Sequence, residues 1–209
     1  MDYTLQDNDS DVSWKMFLVR EGLAPANAME LADRYFEQYK QGTLQLDDFF
    51  RFQLAEFIGK TPEQMAPLLQ RHFEQCCLGR IFPAARQLVE QCRRTGHKVV
   101  ILTSTNRYIA APMARHLQMD DILACDLELR DGRFTGRLSS EYSGGPGKVN
   151  YARDYCRRAG LELSQAAYYG DGISDHYILE AVGFPVAVNP VPELRALAVQ
   201  HHWPVIDFQ

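Results

Sequence analysis

The chain has 209 residues, 46% of them hydrophobic and 23% charged, with a formal net charge of −5. This is the composition of an ordinary globular chain, long enough for one large domain or one domain with an insertion. The absence of a basic stripe argues against nucleic acid as a partner, and no apolar run reaches membrane-spanning length. Five cysteines (Cys76, Cys77, Cys92, Cys125, Cys156) form no CxxC pair and no metal-like spacing. An odd number without a framework points to reduced thiols in a cytoplasm. The opening stretch MDYTLQDNDSD is acidic where a secretory signal would be basic and then apolar.

Residues 12–80 read as helical throughout. Apolar residues recur at three- and four-residue spacing over 14–19, 29–39, 46–58 and 65–77. Thr61-Pro62-Glu63-Gln64 is a helix start, with Thr as N-cap, Pro at the first helical position and Gln three residues after the cap. Tyr35, Phe36, Tyr39, Phe49, Phe50, Phe52 and Phe57 are expected to fill a core, as aromatic side chains usually do.

From Phe82 the pattern changes. Residues 83–94 form an amphipathic helix closed by Gly96, and 98–103 (KVVILT) a buried strand. A helix, strand and helix then follow, the grammar of a parallel sheet. Residues 104–110 make a polar turn into a helix containing Pro112. Alternation around Asp131-Gly132 predicts a β-hairpin over 127–135, and 149–159 a helix with Gly160 just past its end. Runs at 166–169, 185–188 and 204–206 join 98–103 as parallel-strand candidates. The pattern is an α/β core preceded by a helical module.

Residues 166–175 read AAYYGDGISD, an apolar run ending in glycine and then Asp171 and Asp175. In an α/β protein the functional crevice lies beyond the carboxyl ends of parallel strands. Carboxylates there suit Mg²⁺, which takes few protein oxygens and commonly a phosphate as well. Alone, the same residues also suit a solvated turn with Asp as N-cap. Three other features bear on the choice: Asp2-Tyr3-Thr4, Thr103 closing KVVILT, and Lys148 after Gly144-Gly145-Pro146-Gly147. Carboxylate, hydroxyl, lysine and acidic pair at strand ends or helix starts make a phosphoryl-transfer constellation, which works by positioning and charge neutralisation. GGPGK is no nucleotide P-loop, since the earlier glycine is missing and Val149 stands where Ser or Thr is required. His176, His201 and His202 read as surface residues, because Mg²⁺ prefers oxygen.

This order and spacing resemble the haloacid-dehalogenase-like phosphatases, in the phosphoserine-phosphatase-like branch with a helical cap between the first and second motifs. The resemblance runs from Asp2 through VILTSTNRYIAAPMA, GPGK, YYGDGISDHYILEAVG and PVAVNP. It implies an α/β fold in which a Rossmann-like parallel sheet core (1–7 and 81–209) carries an inserted all-helical cap (8–80). It further implies a cytoplasmic, Mg²⁺-dependent hydrolase of a small phosphorylated metabolite, monomeric or homodimeric, with no nucleic-acid or membrane partner. Position by position, Thr103 resembles the hydroxyl that binds the phosphoryl group, and Lys148 the lysine that neutralises nucleophile and phosphate. Asp171 resembles the direct metal ligand and Asp175 its outer-shell support. Asp2 resembles the second aspartate of the DxDxT motif, whose carbonyl binds metal and whose carboxyl serves as acid and base. Thr4 closes that motif, and with Ser104, Asn106 and Arg107 it is expected on the substrate side.

One departure is large. The motif's first aspartate, the nucleophile, falls one place before Met1, and the central strand leading into it is missing from this sequence. Removing a central strand exposes rows of unpaired backbone groups at roughly 1–3 kcal/mol each, against a total stability of about 5–15 kcal/mol. The expectation is therefore that the natural chain is longer. A rival reading is a catalytically inactive phosphate or metabolite binder that keeps the metal site. A receiver-like phospho-acceptor domain shares Asp, Thr and Lys but has no comparable helical insertion.

Overall fold

The computed structural model describes residues 1–40 and 43–208, without the side chains of Phe36, Tyr39 and Lys40. The expectation for Phe36 and Tyr39 thus lies outside the described residues. Helix α1 (Ser10–Arg20) starts at Asp9, whose carboxylate accepts the Val12 N–H at 2.9 Å. Helices α2 (Ala28–Lys40), α3 (Leu46–Gln53) and α4 (Pro62–His72) follow. The start of α4 is as expected: the Thr61 hydroxyl accepts the Gln64 N–H (3.3 Å), and the Gln64 side chain accepts the Thr61 N–H (2.9 Å). Two apolar runs outlast their α-helices, α3 passing into a 3₁₀ turn (Ala55–Phe57) and α4 into a π-helical stretch (Phe73–Cys77).

These helices bury one face together. Trp14, Phe17, Leu18, Leu54, Phe57, Met65 and Leu69 meet Ile109, Leu127 and Phe134 from the following α/β part. Each such side chain contributes about 1.5–3 kcal/mol on burial. The chain enters and leaves the helical part side by side: the Asp7 N–H donates to Arg80 O (2.9 Å) and the Phe82 N–H to Leu5 O (3.0 Å).

Beyond it come α5 (Pro83–Arg94), β1 (Val100–Leu102), α6 (Arg107–His116) and β2 (Asp121–Leu123). β1 and β2 pair in parallel from Val100↔Asp121 to Leu102↔Leu123. β1 is shorter than the KVVILT run because its start is held by a side chain, the Asp120 carboxylate accepting the Val99 N–H (2.8 Å) and the Lys98 ammonium (2.9 Å). β3 (Leu127–Arg130) and β4 (Arg133–Leu138) form the expected hairpin. Asp131 and Gly132 both have positive φ (51° and 72°), as a primed two-residue turn requires.

Helix α7 (Gly147–Ala159) closes on Gly160 at φ 67°. Then β5 (Ala167–Gly170), α8 (His176–Ala181), β6 (Phe184–Val188), α9 (Pro192–Gln200) and β7 (Val205–Ile206) build a parallel sheet in the order β5-β6-β7. Among the described residues β1 pairs only with β2 and β5 only with β6, so the parallel strands stand as two sheets, each with an unpartnered edge. One apolar cluster spans both groups: Leu102 and Leu123 pack with Ala152 of α7 and Ile178 of α8. This is a mixed α/β fold with parallel sheets. All five cysteines are unpaired, and among the described residues no helix is long and apolar enough to cross a membrane.

Candidate active site

A cavity of about 290 Å³ opens at the carboxyl ends of β1 and β5, with the helical part forming its other wall. The strand-end wall is built around Asp175. β5 ends at Gly170, where a Cβ would lie 2.8 Å from the Asp175 carboxyl and 2.7 Å from the Tyr168 ring. With glycine there, Asp175 folds back so that Oδ2 accepts the N–H groups of Asp171 and Gly172, each at 3.1 Å. Its Oδ1 receives the Tyr168 hydroxyl (2.8 Å) and the Lys148 ammonium.

Lys148 reaches this point from the glycine-rich turn. At Gly147 a Cβ would fall 2.1 Å from the Tyr142 carbonyl oxygen, so α7 can start here only without a side chain. Burial alone would push the Lys148 ammonium down, but Asp175 and Tyr168 hold it well above its ordinary value. Burial likewise opposes ionisation of Asp175, and Lys148 overrides it to hold the carboxyl below its usual range. The pair is a buried, ionised, hydrogen-bonded unit.

Thr4 joins the other acidic groups. Its hydroxyl donates to Asp171 Oδ1 (2.7 Å) and its N–H to the Asp2 carbonyl (2.6 Å), in a tight turn with Tyr3 at φ 50°. Burial, then the charge of Asp175, pushes Asp171 up. Among the described residues no three His, Cys, Asp or Glu side chains converge as a closed metal cage. Mg²⁺ needs no such cage, taking one or two carboxylates, waters and substrate phosphate. The Asp2 carbonyl and Asp171 carboxylate, all oxygen and bridged by one residue, suit that ion and lack the nitrogen or sulfur of a zinc site.

The Asp2 carboxylate accepts from Gln6 Nε2 (2.7 Å) and Ser10 Oγ (2.6 Å) on Oδ1 and faces Thr105 Oγ1 (3.3 Å) through Oδ2. The Thr105 hydroxyl is closer to Asp11 Oδ2 (3.0 Å), and one proton cannot serve both carboxylates. Thr103, buried at the end of β1, accepts the Thr105 N–H on its hydroxyl (3.2 Å), while its carbonyl accepts Ser143 Oγ (2.7 Å).

Of the residues singled out from sequence, Asp2, Thr103, Ser104, Asn106, Lys148, Asp171 and Asp175 line this one cavity. Two do not. Thr4 stands behind Asp171 and is not part of the lining. Arg107 is a correction: its guanidinium turns to Asp126 (2.5 Å) and Asp121 (3.7 Å), outside the cavity, because two carboxylates hold it there. Asn106 lines the cavity but uses its side-chain oxygen to cap α6, accepting from Tyr108 (3.0 Å) and Ile109 (3.2 Å). His176 bonds back to Ile173 O (2.8 Å), and His201 and His202 are exposed.

A helical cap over the site was expected, but not which of its residues line the cavity. Asp9, Asp11 and Gln53 line it. So do Tyr35, Phe49, Phe50 and Phe52, which were expected in a core; of the described members of that group only Phe57 is fully buried. Burial and then Asp2 raise Asp9 to about 6, and burial, Asp9 and Asp2 raise Asp11 to about 7.

The strand ends offer oxygen donors for a hard cation and, beside them, a buried ammonium for an anion. Those are the needs of phosphoryl transfer, and the class they fit is an α/β phosphoryl-transfer enzyme. The chain belongs to the haloacid dehalogenase-like hydrolases, whose family model matches residues 1–180. A protein of Neisseria meningitidis named histidinol-phosphatase is 30% identical over 214 residues, covering 100% of this chain and 96% of that protein. A phosphoserine phosphatase of Mycobacterium tuberculosis is 33% identical over 75% of this chain, a match that spans 51% of its own length. Among solved structures, a Bordetella pertussis protein of unknown function superposes with a TM-score of 0.92 at 33% identity, covering 99% of this chain and 95% of that one. A substrate-bound phosphoserine phosphatase shares the fold, with a TM-score of 0.69 at 16% identity over 100% of this chain and 90% of that one.

Proposed function

We propose that this protein is a Mg²⁺-dependent phosphatase of a small phosphorylated metabolite, working through an aspartyl-phosphate. The observation that carries the reading is Thr4, which links the Asp2 carbonyl to the Asp171 carboxylate in the cavity wall that also holds Lys148. The Thr103 hydroxyl and the Lys148 ammonium bind the phosphoryl oxygens. Asp171 and the Asp2 carbonyl hold the metal, with Asp175 fixing the Asp171 backbone. Bound there, Mg²⁺ offsets repulsion between enzyme carboxylates and phosphate.

The attacking carboxylate we assign to the cavity floor beside Met1 and Asp2, which both line the cavity. Attack on phosphorus forms the acyl phosphate and breaks the ester bond, and the leaving oxygen takes its proton from the Asp2 carboxyl. Asp2 then takes a proton from water, which displaces the carboxylate from phosphorus and releases phosphate. Residues 8–80 act as a cap closing over the core of 1–7 and 81–209, with Ser104 and Asn106 beside the substrate. The names of the relatives set a range of leaving groups, the amino alcohol histidinol without a carboxylate and serine with one. Five unpaired cysteines support a cytoplasmic setting.

The test is an assay of 4-nitrophenyl phosphate with protein made from its own locus, the upstream DNA left intact. Turnover should require Mg²⁺ and fall at least ~100-fold in Asp171→Asn. No turnover would leave a phosphate-binding protein instead.

A further inference from the structure

Given the phosphatase reading above, on which this step rests, we propose that the leaving group is a cationic amino alcohol bearing no carboxylate. Its positive group lies at Asp9 and Asp11, and its body lies along an aromatic belt of the helical wall.

The charges of the cavity are unevenly matched. Asp175 is neutralised by Lys148, which among the described residues is the only lysine or arginine lining the cavity. On the opposite wall Asp9 and Asp11 take part in no ion pair among the described residues. Their hydrogen bonds leave capacity to spare. Asp9 Oδ1 accepts from Val12 (2.9 Å), Asp11 Oδ1 from Gln53 Nε2 (3.0 Å), and Asp11 Oδ2 from Thr105 (3.0 Å), while each carboxylate has about four acceptor sites. Nearby Lys15 is held by Glu56 (2.5 Å) and Phe52 O (2.7 Å), its ammonium 4.5 Å from the Phe52 ring centroid. Arg34 lies 5.9 Å from the ring centroid of Tyr35, which among the described residues leaves the rings of Phe49 and Phe50 for a ligand.

The belt adds a second, independent preference. Phe52, Tyr35, Phe49, Phe50 and Tyr142 follow one another with ring centroids 5.2, 5.9, 5.4 and 5.7 Å apart, and all five line the cavity. Aromatic faces attract ammonium and other organic cations and offer flat contact to a ring. A substrate carboxylate calls for the opposite, a guanidinium fork or an ammonium. At the place where Asp11 could be answered by a cation stands the neutral amide of Gln53, itself donating to Asp11.

The deciding pair of probes is O-phosphoserine and O-phosphoethanolamine, which differ only by the carboxylate. Histidinol phosphate adds a ring, and 4-nitrophenyl phosphate removes the amine. The Mg²⁺-loaded wild-type protein should show kcat/KM at least tenfold higher for phosphoethanolamine than for phosphoserine, and higher again for histidinol phosphate. In Asp11→Asn the ratio of kcat/KM for histidinol phosphate to that for 4-nitrophenyl phosphate should fall at least tenfold. Gln53→Arg should shift the phosphoserine to phosphoethanolamine ratio at least tenfold toward phosphoserine. Equal or better turnover of phosphoserine by the wild-type protein overturns the inference, and needs no variant to fold. Turnover of 4-nitrophenyl phosphate without preference for the amines overturns it alone and leaves the phosphatase reading standing. No turnover of any of the four esters removes both.

Discussion

Thr4 carries two hydrogen bonds that matter more than its size suggests, one to each prospective metal donor. Partners standing behind metal ligands are typically worth 10–100-fold in metal affinity. Thr4→Val keeps the shape and the N–H but removes the hydroxyl. We expect the Mg²⁺ concentration for half-maximal activity to rise about 10–100-fold, with urea stability lowered by only about 1 kcal/mol. An unchanged Mg²⁺ requirement would make Thr4 a folding residue only. That Asp2, Thr103, Lys148, Asp171 and Asp175 gather at one cavity was legible in the sequence, because each stands at a strand end or helix start. Arg107 was misread because its ion-pair partner, Asp126, is 19 residues away and no local pattern announces it. Asp9 offered a signal, a carboxylate at the cap position of α1 beside the motif, whereas nothing in the sequence marked Gln53.

Local rules worked best at the level of single elements. The capping box of α4, the primed Asp131-Gly132 turn and the Gly160 cap each depend on a few adjacent residues, and each is present. The 3₁₀ and π-helical continuations of α3 and α4 were not legible, since all helical geometries bury apolar residues at three- and four-residue spacing. Helix α4 also ends in a buried titratable group. His72 packs against the rings of Trp14 and Phe17, at 5.4 and 5.7 Å, with Nε2 2.9 Å from Ser13 Oγ. Burial, with a smaller push from Arg20, lowers its pKa to about 4. An unfolded histidine titrates near 6.5. The neutral ring therefore favours folding fully above that value, and this contribution is lost as pH falls from about 6.5 toward 4. The shift corresponds to about 3 kcal/mol. Asp9 and Asp11, raised instead of lowered, change stability in the opposite sense as pH falls. The contribution of His72 is thus read from the difference between wild-type and His72→Gln urea curves. That difference should hold above about pH 6.5 and shrink from there to about pH 4.5, and a gap constant over that lower range would mean that His72 does not titrate on unfolding.

At the scale of the whole molecule the sequence spoke for the strand directions and for a helical cover, but not for which side chains of that cover face the cavity. An apolar helix face must be covered, yet periodicity is silent on whether protein or a cavity covers it, and Phe49, Phe50 and Phe57 look alike in sequence. In the structure Phe57 packs against Phe134 at 5.3 Å, while Phe49 and Phe50 face the cavity. The site is therefore shared, with Lys148 and Asp171 on the strand-end wall and Asp11 and Gln53 on the helical one. Between them the chain crosses at two backbone hydrogen bonds, Asp7 to Arg80 and Phe82 to Leu5. A ligand gripped by both walls should tie them together. Mg²⁺ with inorganic phosphate, at one hundred times the dissociation constant, should stabilise the fold by about 2.7 kcal/mol. For a chain of this length that is a rise of about 5–10 °C in Tm, reversed by chelating the metal. Amide hydrogen exchange should slow together in residues 171–175 and in α3, because opening either wall releases the ligand. Protection confined to 171–175 would show that the helical part stays open over a bound phosphate, and that closing it requires the leaving group as well.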